Sequence, residues 1–234
     1  MIVAHKPDVN PDDYCYDTGL TFGAQFGEKL LNEILTNPES FERRFKYKRG
    51  DTYKSLVKEV GATAARELNR RKLQFTEQNP NQTAITFLQW FLPKDLDKEF
   101  YSVVPSWLFD LVPGEPKSIV QTSQNGQFLP THRGHGRFSS MFMLLQGQGQ
   151  ETRWYRETEP FEVFETYAIP DCDKIEHIVT AVMQPFRWYV FNHRAWHSVH
   201  NFSAGGVRVN MGLDFDSIPT PELVNVIKQR GLHD

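Results

Sequence analysis

Scarcities narrow the field first. Two cysteines, Cys15 and Cys172, in 234 residues cannot build a disulfide framework, so a reducing compartment is expected. There is no Cys-x-x-Cys pair and no His-Glu-x-x-His segment, which argues against a zinc hydrolase. No apolar run reaches the length of a membrane span, and the stretch from Met1 to Asp8 lacks the apolar core of a secretory signal. The expectation is a cytoplasmic protein with no membrane association. Charge of one sign is scarce as well. The net charge is −3, so no global field draws the chain to nucleic acid. One local excess exists, eleven Lys/Arg against four Asp/Glu over residues 41–72. It reads as a solvated helix face, with a docking surface for an acidic partner as the sharper alternative, because no aromatic–basic interleaving accompanies it. There is no internal repeat and no low-complexity tract. The Gly147-Gln148-Gly149 stretch is a hairpin signal and not a phosphate loop, since no helix follows it.

The chain is 39% hydrophobic and 24% charged, enough to bury a core. Aromatics reach 13%, with 18 Phe, which suits a β-rich core or a lined pocket. Three regions are expected: a helical extension over 1–83, a β core over 84–218 and a C-terminal helix over 219–234, together one structural domain. In the first, Phe26, Leu30, Leu31, Ile34 and Leu35 share a helix face that Asn37-Pro38 ends. A second helix is predicted from Asp51 to about Lys72, with Leu56, Val57, Val60, Ala64 and Leu68 as its stripe. From about residue 84 the pattern turns to short strands separated by turns. These are predicted at 84–91, 117–123, 138–145, 151–156, 161–167, 175–183, 187–191, 198–202 and 207–215. That spacing suggests a β-sandwich or jelly roll. A last helix is predicted over 220–230.

Six of the eight histidines fall between positions 132 and 200. Imidazole is a frequent ligand for iron, zinc and copper. Alternation along a strand puts His132 and Gly134 on one face and His135 on the other, and it separates His197 from His200. The last strand alternates cleanly. Val207, Val209, Met211, Leu213 and Phe215 form one side, and Arg208, Asn210, Gly212 and Asp214 the other. An arginine on such a polar side suits a bound carboxylate, or else it pairs with Asp214 or a rim acid.

Three segments and one later residue resemble the iron(II)/2-oxoglutarate-dependent oxygenases. They are Gly126-Gln127-Phe128-Leu129-Pro130-Thr131-His132-Arg133-Gly134-His135-Gly136-Arg137, then Glu151-Thr152-Arg153-Trp154-Tyr155, then Phe191 to Asn201 with Trp196-His197-Ser198-Val199-His200, then Arg208. The resemblance is nearest to aspartyl/asparaginyl hydroxylase-like and phage-type members, and it covers roughly residues 115–216. It implies an α+β protein whose core is a double-stranded β-helix, or jelly roll, with N-terminal helices packed on it and a short C-terminal helix. By the same resemblance His132 and His197 are the Fe(II) ligands, and His135 or His200 would be the replacement if either fails. Arg208 holds 2-oxoglutarate, and Thr152, Trp154 and Tyr155 line the cosubstrate cavity. The chain departs from the pattern at Gly134, where the family usually carries an Asp or Glu ligand. In the halogenase branch that position is Gly or Ala, and chloride or bromide takes the vacated place.

A glycine there removes both an anion and its volume, leaving Fe(II) with room for a small anion. Arg133 or Arg137 would add positive potential nearby. Three readings follow. The first is a halogenase acting on an aliphatic C–H bond of a small molecule with O2. The second is a hydroxylase that uses another ligand. The third is a non-enzymatic jelly-roll binding protein with a degenerate metal site.

Overall fold

The computed structural model describes residues 1–43, 53–84, 88–111, 117–134, 138–147, 149–163, 169–201 and 206–230. Thirteen strands are present among them. They are β1 (Ile2–Ala4), β2 (Cys15–Asp17), β3 (Glu42–Arg43), β4 (Thr83–Ala84), β5 (Leu88–Phe91), β6 (Lys117–Ser123), β7 (Gln127–His132), β8 (Ser139–Gln146), β9 (Glu151–Glu157), β10 (Ile175–Ala181), β11 (Trp188–Asn192), β12 (Trp196–His200) and β13 (Arg208–Phe215). The α-helices are α1 (Ala24–Thr36), α2 (Tyr53–Gln78), α3 (Lys94–Val103), α4 (Ser106–Phe109) and α5 (Thr220–Gln229). None of them is long and apolar enough to cross a membrane.

The strands form two facing sheets. The smaller has the order β1-β10-β9-β12-β7-β4 and the larger β2-β11-β8-β13-β6-β5-β3. From β6 onward the chain alternates between them: β6 and β8 in the larger, β7, β9 and β10 in the smaller, then β11, β12 and β13 crossing each time. All pairings within this set are antiparallel. Two interleaved four-stranded sheets of this order make a jelly roll, so the fold is α+β with that core.

Alternation explains which side of each strand is covered. On β13, Val209, Met211, Leu213 and Phe215 join Met141, Met143 and Leu145 of β8 in a cluster outside the larger sheet. Helices α1, α3 and α5 close it with Phe26, Leu30, Phe100, Leu223 and Ile227. Trp188 is wholly buried there, stacked on Phe22 at 4.8 Å, its indole N–H donating to the Phe22 carbonyl at 2.8 Å. Burying such a ring contributes roughly 2–3 kcal/mol. The opposite side of the larger sheet faces the smaller one, where Ile119, Phe142, Leu144 and Phe191 meet Trp154, Val179 and Ala181. Gly212 lies on this inward side. A Cβ there would stand 2.4 Å from the Phe142 ring and 2.9 Å from the Met141 carbonyl oxygen.

The first 83 residues differ from a purely helical extension. β1 pairs with β10 of the smaller sheet and β2 with β11 of the larger. The second helix runs to Gln78, six residues beyond its predicted end, and bends at Gly61, whose φ is 83°. Asp51 lies outside the described residues. The predicted strand at 161–167 is not a strand over 161–163, and its remainder is not described. β7, α3 and α4 are additions to the predicted elements.

Candidate metal and cosubstrate site

β7 and β12 pair so that His132 and His197 are direct cross-strand partners. Their ring centroids are 4.3 Å apart. The pairing register shifts between His197–His132 and Val199–Leu129, so β7 carries one extra residue there, around Pro130. Proline has no N–H to give the ladder and is tolerated in strands at such bulges. The bulge resets the alternation. Phe128 and Thr131 face outward, while Leu129 and His132 both face inward, toward the larger sheet. Each imidazole is held by the carbonyl two residues before it, His132 Nδ1 to Pro130 at 2.9 Å and His197 Nδ1 to Ala195 at 2.9 Å. A carbonyl only accepts, so both rings carry their proton on Nδ1 and their lone pair on Nε2. Nδ1 pinned by backbone, with Nε2 presented, is the arrangement a metal-binding histidine needs.

Trp154 pairs with His197 across β9 and β12, and their rings are 6.4 Å apart. Thr152, buried and two residues earlier, shares that inward face. Tyr155 does not. It pairs with Trp196 on the opposite face, and its hydroxyl lies 3.0 Å from Ser198 Oγ. The structure thus separates Tyr155 from the cavity predicted for it, because neighbouring strand residues point to opposite sides. His200 faces outward for the same reason. Its ring stacks on Phe128 at 5.5 Å, and Nε2 lies 2.8 Å from Ser198 Oγ. His135 and Arg137 lie outside the described residues. Arg133 stacks on Trp196 at 4.6 Å and comes within 3.9 Å of Glu157, so it turns to the outer face.

Gly134 follows the end of β7, and its N–H donates to the His193 carbonyl at 2.7 Å. That contact brings in a residue the sequence reading passed over. His193 is buried, and its ring meets that of His197 edge-on at 5.2 Å. Its position just after β11 was the available signal. Among the described residues, no group of three or more His, Cys, Asp or Glu side chains is placed to hold a metal ion.

Arg208 opens β13 on its inward side, opposite Ser123. It is 3% exposed. Burial alone pulls its guanidinium down to about 10, so it stays charged at neutral pH. Its described partners are neutral. Nε donates to Gln150 Oε1, and Nη2 donates to the Asn210 side-chain amide oxygen at 3.2 Å. Asp214, the competing partner, instead accepts from Ser140 Oγ at 2.6 Å. No carboxylate among the described residues pairs with Arg208. Around it, Ser123 Oγ, Gln121 Nε2 and Gln150 Nε2 are buried without hydrogen-bond partners. A buried cation costs several kcal/mol unless an anion meets it. Orphaned donors beside it are the complement of an anionic, multiply accepting ligand. The donor set therefore fits a carboxylate such as that of 2-oxoglutarate, and the histidine pair fits an imidazole-binding metal such as Fe(II).

No protein-family model matches the chain, and no curated protein matches it in sequence. Solved structures similar to it include Escherichia coli YcfD, described as a ribosomal oxygenase, at 15% identity with a TM-score of 0.32, covering 62% of this chain and 37% of that one. A second YcfD structure gives 0.36, with 38% of that chain covered. Peruvianin-I, a cysteine peptidase from Thevetia peruviana latex, matches at 11% identity with a TM-score of 0.31, over 45% of this chain and 53% of that one. The chain thus spans well under two thirds of these neighbours. An oxygenase and a peptidase stand side by side at low TM-scores, so the likeness lends no weight to either activity.

Proposed function

We infer that this protein is a non-haem Fe(II)/2-oxoglutarate-dependent oxidoreductase acting on an aliphatic C–H bond of a small molecule. One observation carries the reading. Two imidazoles with inward lone pairs, His132 and His197, occupy one sheet, and a buried, carboxylate-free Arg208 occupies the facing one. In this reading His132 and His197 hold the metal through Nε2. Arg208 orients a carboxylate of 2-oxoglutarate through its planar fork, with Ser123, Gln121 and Gln150 as further donors. Trp154 and Phe191, packed at 5.1 Å, supply an apolar wall beside His197. Iron, when bound with 2-oxoglutarate and O2, supplies the oxidising power.

Gly134 supports the finer reading, a halogenase. Two neutral ligands leave the metal its full positive charge, and a glycine leaves space for chloride or bromide. His193 favours a second reading, in which a water held beside its ring takes that place and hydroxyl is transferred.

Anaerobic addition of Fe(II) and 2-oxoglutarate should give a weak visible charge-transfer band that His132→Ala abolishes. A folded protein that retains no iron and shows no band would overturn both enzyme readings and leave a binding protein with a degenerate metal site. Succinate release with chloride present, followed by product mass, separates halogenation from hydroxylation. More hydroxylation in Gly134→Asp would support the vacant-ligand account.

A further inference from the structure

A pocket of about 360 Å³ opens on the outer side of the larger sheet, at the margin of the apolar cluster that α1 closes. Ile34 and Leu35 from the end of α1, with Pro38 and Phe41 just after it, form one side. Trp90 of β5, Thr122 of β6, Gln124 and Val207 form the other. Thr122 and Val207 alternate with Gln121, Ser123 and Arg208, which face the smaller sheet. The larger sheet therefore separates this pocket from the histidine pair and the buried arginine.

The apolar stripe of α1 outruns its cover. Phe26 and Leu30 are buried in the cluster, whereas Leu35, on the same stripe, is 49% exposed at the pocket rim. Leu35 is the one exposed large hydrophobic among the residues that line the pocket. That is too little apolar surface for a protein interface, which needs about 800 Å² from each partner. The volume instead falls within the roughly 300–1,000 Å³ of small-molecule sites.

The lining sets the chemistry of the occupant. Among the described residues that line it, Thr122 and Gln124 are polar and none is charged. A charged ligand would lose hydration there with no counter-ion in reach, so the pocket selects an uncharged one. Thr122 adds direction. It is 7% exposed, and its Oγ1 accepts the Trp90 indole N–H at 3.0 Å. A hydroxyl that accepts still has its own hydrogen to donate, and among the described residues no acceptor takes it. A carbonyl oxygen on the ligand would meet that donor. Phe41 and Trp90 supply aromatic walls for the rest of the molecule.

We propose that this pocket binds a small, uncharged, apolar molecule carrying one hydrogen-bond-accepting oxygen, with the oxygen on Thr122 and the apolar body between Leu35, Phe41 and Trp90. The site is independent of the iron chemistry. Acetophenone, toluene and benzoate are the probes, titrated into the isotopically labelled full chain. Amide shifts of Leu35, Thr122 and Val207, with the Trp90 indole N–H, report binding. Acetophenone should saturate with a Kd on the order of 1 mM, and benzoate should bind about tenfold more weakly or less. Leu35→Gln, at an exposed rim position where folding is little disturbed, should weaken acetophenone and toluene alike by about fivefold. Thr122→Val should weaken acetophenone about fivefold and toluene by less than about twofold, because toluene has no acceptor to lose. Failure of acetophenone to saturate by about 10 mM, benzoate bound as tightly as acetophenone, or equal losses of the two neutral probes in Thr122→Val would each overturn the proposal. So would shifts at Trp154 and His197 in place of those at Thr122, which would put the probe between the sheets. A dimer in sedimentation that Leu35→Gln dissolves would give the pocket to a second copy of the chain and overturn it as well.

Discussion

Pro130 decides where His132 points. Strict alternation from Leu129 would turn His132 outward, and the extra residue in β7 turns it inward, facing His197. Strand parity would join His132 to Gly134 only in a continuing strand, whereas β7 stops at His132. Parity served well at Trp154 and Tyr155, where an uninterrupted strand separates the two by face. Arg208 was legible as the polar side of β13, but its isolation from carboxylates was not, because partners come from β6 and the segment before β9. That isolation has a measurable consequence. Arg208→Leu removes a buried charge from the ligand-free protein and should raise its stability by about 1–3 kcal/mol in urea unfolding, while abolishing 2-oxoglutarate binding. Loss of stability instead would show that the charge is compensated in the folded state.

β6, β8, β9, β10 and β13, which are β-branched, aromatic or apolar stretches bounded by turn residues, are readable from the chain to within a residue or two. β7 escapes because a proline interrupts its middle and three turn-forming residues precede it. α3 and α4 are short and begin after Pro93 and Pro105, at positions where proline also reads as a loop. α2 needs tertiary contacts to be placed. Arg71, 3% exposed, donates from Nη1 to the carbonyls of Glu162 at 2.9 Å and Ile169 at 3.0 Å, and from Nε to Glu67 at 2.9 Å. Arg70 reaches Asp171 at 3.1 Å. With Arg70 and Arg71 beside it, the Glu67 carboxyl falls to about 2. The basic run thus includes residues that fasten this helix to the loop around Ile169. Arg71→Ala should cost about 3 kcal/mol in urea unfolding, whereas Lys72→Ala, at an exposed position, should change stability by less than about 0.5 kcal/mol.

The two sheets, with helices outside each, leave one polar region between them and another beneath α2. The second region makes the molecule acid-sensitive. His200 is buried against Phe128 and Gln82, with Arg153 and His177 as neighbouring charges that oppose its protonation. Its folded value of about 3 lies below the ordinary 6.5, so the unfolded chain takes up a proton first. The resulting stability is complete above pH 6.5 and is lost progressively as pH falls toward 3, on the order of 4 kcal/mol at the acid limit. Urea unfolding across that range should show His200→Gln losing less stability on acidification than the wild type. Equal slopes would mean that His200 does not titrate on unfolding.

Periodicity and turn residues determined a β-sandwich or jelly roll with helical segments beside it, because alternation is a local property, and the resemblance of three short motifs to a known family singled out His132, His197 and Arg208. Which candidates face the space between the two sheets was decided only by the fold. A one-residue bulge at Pro130 inverts a face, crossovers between sheets set Arg208 among Ser123, Gln121 and Gln150, and His193 arrives from a separate strand end. These are long-range pairings, and no local pattern encodes which two strand faces will meet.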